Sequence, residues 1–177
     1  MAELIIVTGP PGAGKTTVAR APARRFDRSA LVAGDDFFAF IQRGFIAPWT
    51  SEAHRQNETV VQASAAAAGR LAAGGYTVVY DGIIGPWFLA AFTAAAGLDR
   101  LHYALLLPSE ERCEARVQSR MGHGFSNLDA TRHMYDQFAH SHIAERHLFM
   151  NPPDEPIDAA LWIWERVVEG SLIYPPR

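Results

Sequence analysis

The chain has 177 residues, of which 49% are hydrophobic, so it can bury one full core but is too short for two. Its formal net charge of −3 provides no basic field of the kind that attracts nucleic acid non-specifically. A single cysteine, Cys113, excludes an internal disulfide, and no apolar run approaches the roughly 20 residues that span a bilayer. The first residues lack the basic and apolar regions of a signal peptide. We therefore expect one cytoplasmic domain over residues 1–177, with no membrane partner.

Short apolar runs alternate along the chain with longer helical stretches. The runs lie at residues 4–7, 31–33, 76–80, 101–107 and, more weakly, 147–150. Helical patterns cover residues 15–26, 51–73, 87–96, 109–121, 128–143 and 157–169. This alternation predicts an α/β fold in which helices cover both faces of a parallel sheet.

The residues between the first apolar run and the first helix match the Walker A pattern of a phosphate-binding loop. In order they are Gly9, Pro10, Pro11, Gly12, Ala13, Gly14, Lys15 and Thr16, followed by Thr17. Glycines allow backbone amides to surround phosphate oxygens, Lys15 can reach the outer phosphates, and the Thr16 hydroxyl can bind Mg²⁺. A dinucleotide site would require glycine or alanine where Thr17 stands. The pattern predicts that residues 9–17 bind ATP with Mg²⁺.

Aspartates follow two of the predicted strands. Asp35 and Asp36 come after Gly34, and Asp81 with Gly82 follows the run at residues 76–80. Ligands of an open parallel sheet bind beyond the carboxyl ends of its strands, so these acids should lie near the phosphate loop. We predict that Asp35 accepts the proton of a substrate hydroxyl and that Asp81 helps to hold Mg²⁺. For Asp36 a helix cap and a substrate contact are equally consistent with the sequence.

Three arginines recur at four-residue spacing in the fourth predicted helix. Arg112, Arg116 and Arg120 lie on one face, and none has a carboxylate three or four residues away. Either an anion such as a polyphosphate or an acid distant in sequence should complete this stripe. A glycine-containing stretch follows, which predicts a lid at about residues 116–128. Arg116 and Arg120 are the predicted phosphate contacts, and Arg112 is predicted to be an ordinary solvated arginine.

Aromatic residues are concentrated near the predicted acids. Any one of them is most often part of a core, but the concentration favours an acceptor with an apolar or planar part. The predicted acceptor contacts are Asp36, Phe40, Trp49, Arg55, Gly82 and Trp87.

Together, the Walker A loop, the Gly34-Asp35-Asp36 element, Asp81 and the two arginines before the lid resemble the small P-loop kinases. That group includes chloramphenicol phosphotransferase, gluconate kinase, shikimate kinase and the kinase domain of polynucleotide kinase. The resemblance implies a three-layer α/β/α sandwich with a five-stranded parallel sheet in the order 2-3-1-4-5. It also implies ATP with Mg²⁺, Asp35 or Asp36 as the hydroxyl-activating carboxylate, and lid arginines at Arg116 and Arg120. Phe38 stands where polynucleotide kinases carry an arginine, which argues against a nucleic-acid substrate.

These observations predict an ATP-dependent kinase that acts on a hydroxyl of a small molecule, such as an antibiotic, a nucleoside or a sugar-like compound, with Lys15, Asp35 and Arg120 as catalytic residues. The alternatives are a 5′-end polynucleotide kinase and a non-catalytic module that binds ATP. The sequence is equally compatible with a monomer and a homodimer.

Overall fold

The computed structural model describes residues 3–21, 26–119 and 127–175. The strands are β1 (Leu4–Thr8), β2 (Ser29–Ala33), β3 (Thr77–Asp81), β4 (Leu101–Leu107), β5 (Leu148–Met150) and β6 (Ile173–Tyr174). The α-helices are α1 (Lys15–Arg20), α2 (His54–Ala73), α3 (Pro86–Ala96), α4 (Glu110–Ser119), α5 (Leu128–Ala139) and α6 (Pro156–Glu169). Shorter 3-10 helices cover Gly34–Phe40, Ser51–Ala53 and Glu145–His147.

Five parallel strands form the sheet in the order β2-β3-β1-β4-β5, which confirms the predicted topology. The two-residue strand β6 was not predicted, and it pairs antiparallel with the first residues of β4. Because β6 lies at the amino end of β4, it does not change the edge of the sheet where the parallel strands end.

Alternate residues of the strands supply two separate hydrophobic cores, one on each face of the sheet. Leu4 and Ile6 of β1 belong to the core that includes residues of α2 and α3. Ile5 and Val7 belong to the other core, which includes residues of α1 and α6. Both faces of each central strand are therefore buried, which is why these segments read as unbroken apolar runs rather than as an alternation with polar residues. The three-layer arrangement agrees with the prediction.

The helix boundaries differ from the sequence predictions at several points. The long second helix begins at His54, after the 3-10 turn Ser51–Ala53, and α5 ends at Ala139 instead of reaching residue 143. The first helix, predicted over residues 15–26, ends at Arg20, and residues 22–25 lie outside the described residues, as do residues 120–121 at the end of the predicted fourth helix. None of the described helices is both long enough and apolar enough to cross a bilayer.

A close approach of two helix backbones fixes the packing of α2 on α3. Gly69 is buried in α2, and a Cβ atom added to it would overlap the carbonyl oxygen of Ala96 at the end of α3. Glycine is an unfavourable helix residue, by roughly 1 kcal/mol relative to alanine. Its presence at position 69 is therefore explained by space, since no side chain fits between the two backbones.

We predict that Gly69→Ala destabilises the protein by about 1–3 kcal/mol, because overpacking outweighs the gain in helix propensity. Urea denaturation followed by circular dichroism measures the change. Ala66→Ser, at an exposed position of the same helix, is the control and should stay within about 0.5 kcal/mol of the wild type. A Gly69→Ala variant more stable than the wild type would contradict the close packing of α2 and α3.

Candidate functional site

The phosphate loop follows β1 and packs directly against neighbouring backbone. Gly9, Gly12 and Gly14 have φ values of 146°, 79° and 94°, a region that favours glycine. A Cβ atom on Gly9 would overlap the carbonyl oxygen of Leu106 in β4, and one on Gly12 would overlap that of Cys113 in α4. The glycines of the Walker A pattern are thus required by the loop's conformation and by its contact with β4 and α4.

Lys15 is buried at the start of α1, and its Nζ donates a hydrogen bond to the Pro10 carbonyl oxygen at 3.0 Å. The backbone amide of Ala13 donates to the same carbonyl at 3.1 Å. These two bonds close the loop upon itself and hold the ammonium group within it. Thr16 and Thr17, the next residues of α1, are exposed.

The end of β1 is tied to the segment that follows β3. The Thr8 hydroxyl donates to the Ile84 carbonyl at 3.1 Å and accepts from the Ile84 amide at 2.8 Å. The Tyr103 hydroxyl donates to the same Ile84 carbonyl at 2.8 Å. All three bonds are buried, so the segment after β3 is fixed relative to the phosphate loop.

The two predicted carboxylates lie at the same edge of the sheet as the phosphate loop. Asp81 ends β3 and pairs in register with Val7 of β1 and with Ala33 of β2. Asp35 follows β2 by two residues, at the start of the 3-10 helix Gly34–Phe40. Its side chain is open to solvent on one side, and protein surrounds it on the others. This burial raises the pKa of the Asp35 carboxyl, the charge of Lys15 opposes the increase, and Asp81 and Asp36 add to it.

Tyr80 lies beneath both acid-bearing strand ends. A Cβ atom on Gly34 would overlap the Tyr80 hydroxyl, and one on Gly82 would come within 2.8 Å of the Tyr80 ring. The hydroxyl is hydrogen-bonded to Ser64 of α2 at 2.8 Å. Burial raises the pKa of Tyr80, the Ser64 bond lowers it, and the nearby Asp35 and Asp81 charges raise it further. Tyr80 therefore supports this edge as a neutral group. No role was predicted for Tyr80. The feature of the sequence that reflects its packing is the glycine next to each acid, Gly34 and Gly82.

The arginine stripe of α4 is completed by an acid distant in sequence. Asp154 forms ion pairs with Arg112 and with Arg116, the latter at 3.4 Å. Arg116 also donates to the carbonyl oxygens of Gly12 at 3.3 Å and Ala13 at 3.5 Å, so it lies against the phosphate loop. Arg112 is two-thirds buried and paired, which differs from the solvated arginine predicted for this position. The predicted contact Arg120 lies outside the described residues, as does most of the predicted lid.

A cavity of about 260 Å³ lies beside the phosphate loop. Its walls are residues of the loop and α1, of α4, and of the segment between β5 and α6. The lining residues are Ala13, Gly14, Thr17, Val18, Arg116, Ser119, Pro152, Pro153, Asp154, Pro156 and Ala159. Sequence reasoning missed the contribution of residues 152–156. The signal was present, because this proline-rich segment with an acid follows a predicted strand, as Asp35 and Asp81 do.

The remaining predicted site residues lie in the segments that follow β2 and β3. Asp36, Phe40, Trp49, Arg55 and Trp87 are exposed, and Gly82 is buried against Tyr80. Phe40 and Trp87 are thus not core residues. Among the described residues, no group of three or more histidine, cysteine, aspartate or glutamate side chains could hold a metal by itself.

Cys113 is buried beneath the phosphate loop, and burial raises the pKa of its thiol to about 11, against the opposing charges of Lys15, Arg116 and Arg112. The thiol is therefore protonated at neutral pH.

Comparison with solved structures supports the fold. A sugar kinase from a Janibacter species has 20% identity and a TM-score of 0.66, over 93% of this chain and 95% of that one. A gluconokinase from Sinorhizobium meliloti has 20% identity and a TM-score of 0.64, over 96% and 94% of the two chains. The tunicamycin resistance protein of Deinococcus radiodurans has 17% identity and a TM-score of 0.64, over 99% and 100%.

These likenesses confirm the predicted resemblance to small P-loop kinases at the level of the fold. No curated protein sequence matches the chain. A family model described as an AAA domain matches residues 4–144, which include the phosphate loop, both carboxylates and the arginines of α4. The chain therefore belongs to this AAA domain family.

Proposed function

We propose that this protein is an ATP-dependent kinase that transfers the γ-phosphoryl group of ATP to a hydroxyl of a small molecule. The observation that carries the proposal is the position of Asp35. A carboxylate with a raised pKa lies close enough to Lys15 of the phosphate loop for the two charges to interact. Asp35 would therefore meet an acceptor hydroxyl next to the outer phosphates of a nucleotide.

The described residues fit a nucleotide. The three glycines with positive φ leave the loop backbone open to phosphate oxygens, and Lys15 lies within the loop. The adjoining cavity, lined by Thr17, Val18 and the segment 152–156, has room for a nucleotide base. Mg²⁺ would be held by the exposed Thr16 hydroxyl together with the phosphates and by Asp81 through water. When bound, Mg²⁺ neutralises the charge that develops on the transferring phosphoryl group.

The residues divide the chemistry between them. Asp35 accepts the proton of the acceptor hydroxyl as its oxygen forms the new bond to the γ-phosphorus, and the bond from that phosphorus to the bridging oxygen of ADP breaks. Lys15 stabilises the charge of the outer phosphates. Arg116 adjoins the loop and exchanges its contact with Asp154 for the phosphates. Arg120 stays a predicted second arginine of the same clamp, and a nearby lid would exclude water.

The acceptor would bind on the Asp35 side of the site. The 3-10 helix Gly34–Phe40, the loop 41–50 and the first residues of α2 and α3 form its walls. A sugar kinase and a gluconokinase share the fold and are named for small hydroxyl-bearing substrates, which is consistent with this proposal.

We predict that ADP forms only when a suitable alcohol is supplied, and that Asp35→Asn lowers kcat by at least about 100-fold, because the amide cannot accept the proton. An ADP-release screen over antibiotics, nucleosides, sugars and sugar acids gives the measurement. Lys15→Ala should also lose activity, because it removes the ammonium group that stabilises the charge of the outer phosphates.

Asp36→Asn serves as the matched variant, since Asp36 is the adjacent acid in the same 3-10 helix. If Asp36→Asn were inactive and Asp35→Asn fully active, the two roles would be exchanged. Turnover limited to the 5′ ends of oligonucleotides would instead indicate a polynucleotide kinase. Tight ATP binding without turnover of any acceptor would indicate a binding module.

Asp35→Asn should also stabilise the folded protein. Folding raises the pKa of Asp35, so ionisation of this carboxyl opposes folding at every pH above the pKa that it has in the unfolded chain. An amide does not ionise and therefore removes this penalty. The variant should therefore melt at a higher temperature than the wild type near about pH 7. The difference should shrink as the pH falls through about 4 and below, where the carboxyl becomes protonated in both the folded and the unfolded chain.

Differential scanning calorimetry across this pH range tests the sign. Asp136→Asn, on the exposed side of α5, reports the general effect of removing one surface charge. A variant that melts below the wild type near neutral pH and recovers in acid would show that the carboxylate stabilises the fold instead.

Arg116→Ala should weaken the binding of ATP about 10- to 100-fold, because charge-assisted hydrogen bonds contribute about 1.5–3 kcal/mol each. Isothermal titration calorimetry with Mg²⁺ measures this change. Arg116→Lys should recover part of the affinity, since it keeps the charge and loses the planar pair of donors. Arg70→Ala, exposed near the end of α2, is the control for a lost positive charge. Equal affinities for Arg116→Ala and Arg70→Ala would remove Arg116 from the nucleotide site.

A further inference from the structure

Four exposed aromatic side chains belong to the segments that follow the acid-bearing strands β2 and β3. Phe40 is 73% exposed, Phe45 52%, Trp87 43% and Trp49 37%. We call them the aromatic patch. Clustered exposed apolar groups on a folded protein commonly mark a binding surface.

Trp87 is anchored to the phosphate-transfer site by a short series of contacts. Thr8, which directly precedes the phosphate loop, is bonded to Ile84 in both directions. The next residue is Gly85, and a Cβ atom there would overlap the Trp87 indole. The indole therefore packs on the Gly85 backbone, one residue from the bond to Thr8. Phe138 supports it from α5 at a ring distance of 5.3 Å. Trp87 is thus held in place with part of its ring open.

Phe40 is placed at a fixed distance from the proposed base. Asp35 and Phe40 lie near the two ends of the 3-10 helix Gly34–Phe40, and five residues at about 2.0 Å per residue separate them by roughly 10 Å along its axis. The Phe37 ring packs edge-on against Phe40 at 5.4 Å and is itself partly buried against the core. A molecule whose hydroxyl meets Asp35 could extend about one ring and a short chain before it reaches Phe40.

The loop that carries Phe45 and Trp49 is held against the first turn of α2. The Gln56 side chain accepts from the Ile46 amide and donates to the Ile46 carbonyl, both at 2.7 Å. Asn57 donates to the Pro48 carbonyl at 2.7 Å. Exposed aromatic groups on a tethered loop are pre-organised, so little entropy is lost when they cover a ligand. The first turn of α2 in turn reaches α3, because His54 stacks on Phe88 beside Trp87.

The charges around the patch do not suit an anion. Asp35, Asp36 and Glu52 belong to the same segments, against the exposed Arg43 and Arg55 and against Lys15, whose charge interacts with Asp35. Asp81 adds a further acid at the sheet edge. An acceptor that brought its own carboxylate or phosphate would meet a surplus of negative charge close to the reacting hydroxyl.

We infer that the acceptor is an alcohol that carries a planar aromatic ring and no negative charge, and that Trp87 is the side chain that stacks on this ring. The inference rests on the proposed kinase function and assigns the substrate class of the same site. Stacking on a half-exposed, fixed indole buries apolar area of both rings and adds the preference of aromatic pairs for each other. The hydroxyl is then presented to Asp35 by a group that takes no part in the chemistry.

The test compares two sets of probe alcohols in the full-length protein. Aryl-substituted propanediols and nucleosides carry a ring without negative charge, whereas glycerol, ribose and gluconate lack the ring. Binding is measured by saturation-transfer NMR in the presence of a non-hydrolysable ATP analogue, and turnover is measured by ADP release. We expect binding and turnover to be confined to the ring-bearing set.

Trp87→Ala should raise the KM of the best ring-bearing acceptor by roughly tenfold or more and leave the KM of ATP within about twofold. Trp87→Phe, which keeps a flat ring, should restore most of the affinity and shows whether the alanine variant fails merely by misfolding. Val168→Ala removes an exposed apolar side chain near the end of α6 and should change neither KM.

The outcomes separate the inference from the proposed function. Binding of the ring-bearing probes that depends on Trp87, without any ADP release, would support the aromatic site and overturn the kinase. Turnover restricted to glycerol, ribose or gluconate would support the kinase and overturn the inference. Equal KM values in Trp87→Ala and Val168→Ala would also overturn it, as would an absence of binding by every ring-bearing probe.

Discussion

The register of three parallel strands is the constraint on which this site depends. Asp81 in β3 pairs with Val7 of β1 on one side and with Ala33 of β2 on the other. The phosphate loop, Asp81 and Asp35 therefore all begin at one level of one edge. A slip of one residue would turn each side chain to the opposite face of the sheet, so the two cores that fix the register also fix the site. The buried Thr8–Ile84 hydrogen bonds and the packing of the Tyr80 ring against Gly34 and Gly82 stabilise this edge of the sheet.

Beside the phosphate loop, a carboxylate of the protein itself pairs with the arginines of α4. Asp154 pairs with two arginines of α4, and one of them, Arg116, also contacts the phosphate-loop carbonyls. These cations would otherwise repel each other at four-residue spacing. A carboxylate that is mostly exposed to solvent can be exchanged for a phosphate at little cost, because a surface ion pair contributes only about 0–1 kcal/mol. The pairing thus neutralises both arginines without burying the carboxylate.

Around Asp35, the fold keeps two features that lower its stability. The raised pKa of Asp35 means that its ionised form is disfavoured where it lies, and the aromatic patch exposes apolar area that a core could have buried. Both features occur at the same edge, next to Lys15. Functional sites commonly combine such locally unfavourable choices, and the well-packed sheet and helices provide the stability that tolerates them.

The sequence by itself determined the α/β fold and the phosphate loop, because unbroken apolar runs, a fixed glycine spacing and strand-end acids are local patterns. The strand order was implied only by the resemblance to small P-loop kinases. It also predicted Asp35 and Asp81 near the loop through the rule that parallel strands end together. Only the tertiary structure supplied Asp154 as the partner of Arg112 and Arg116, since 38 residues separate it from the nearer one. The packing of Tyr80 against Gly34 and Gly82 and the exposure of Phe40 also became apparent only in the tertiary structure. Pairing and burial depend on contacts between distant segments, which neither spacing nor residue type encodes.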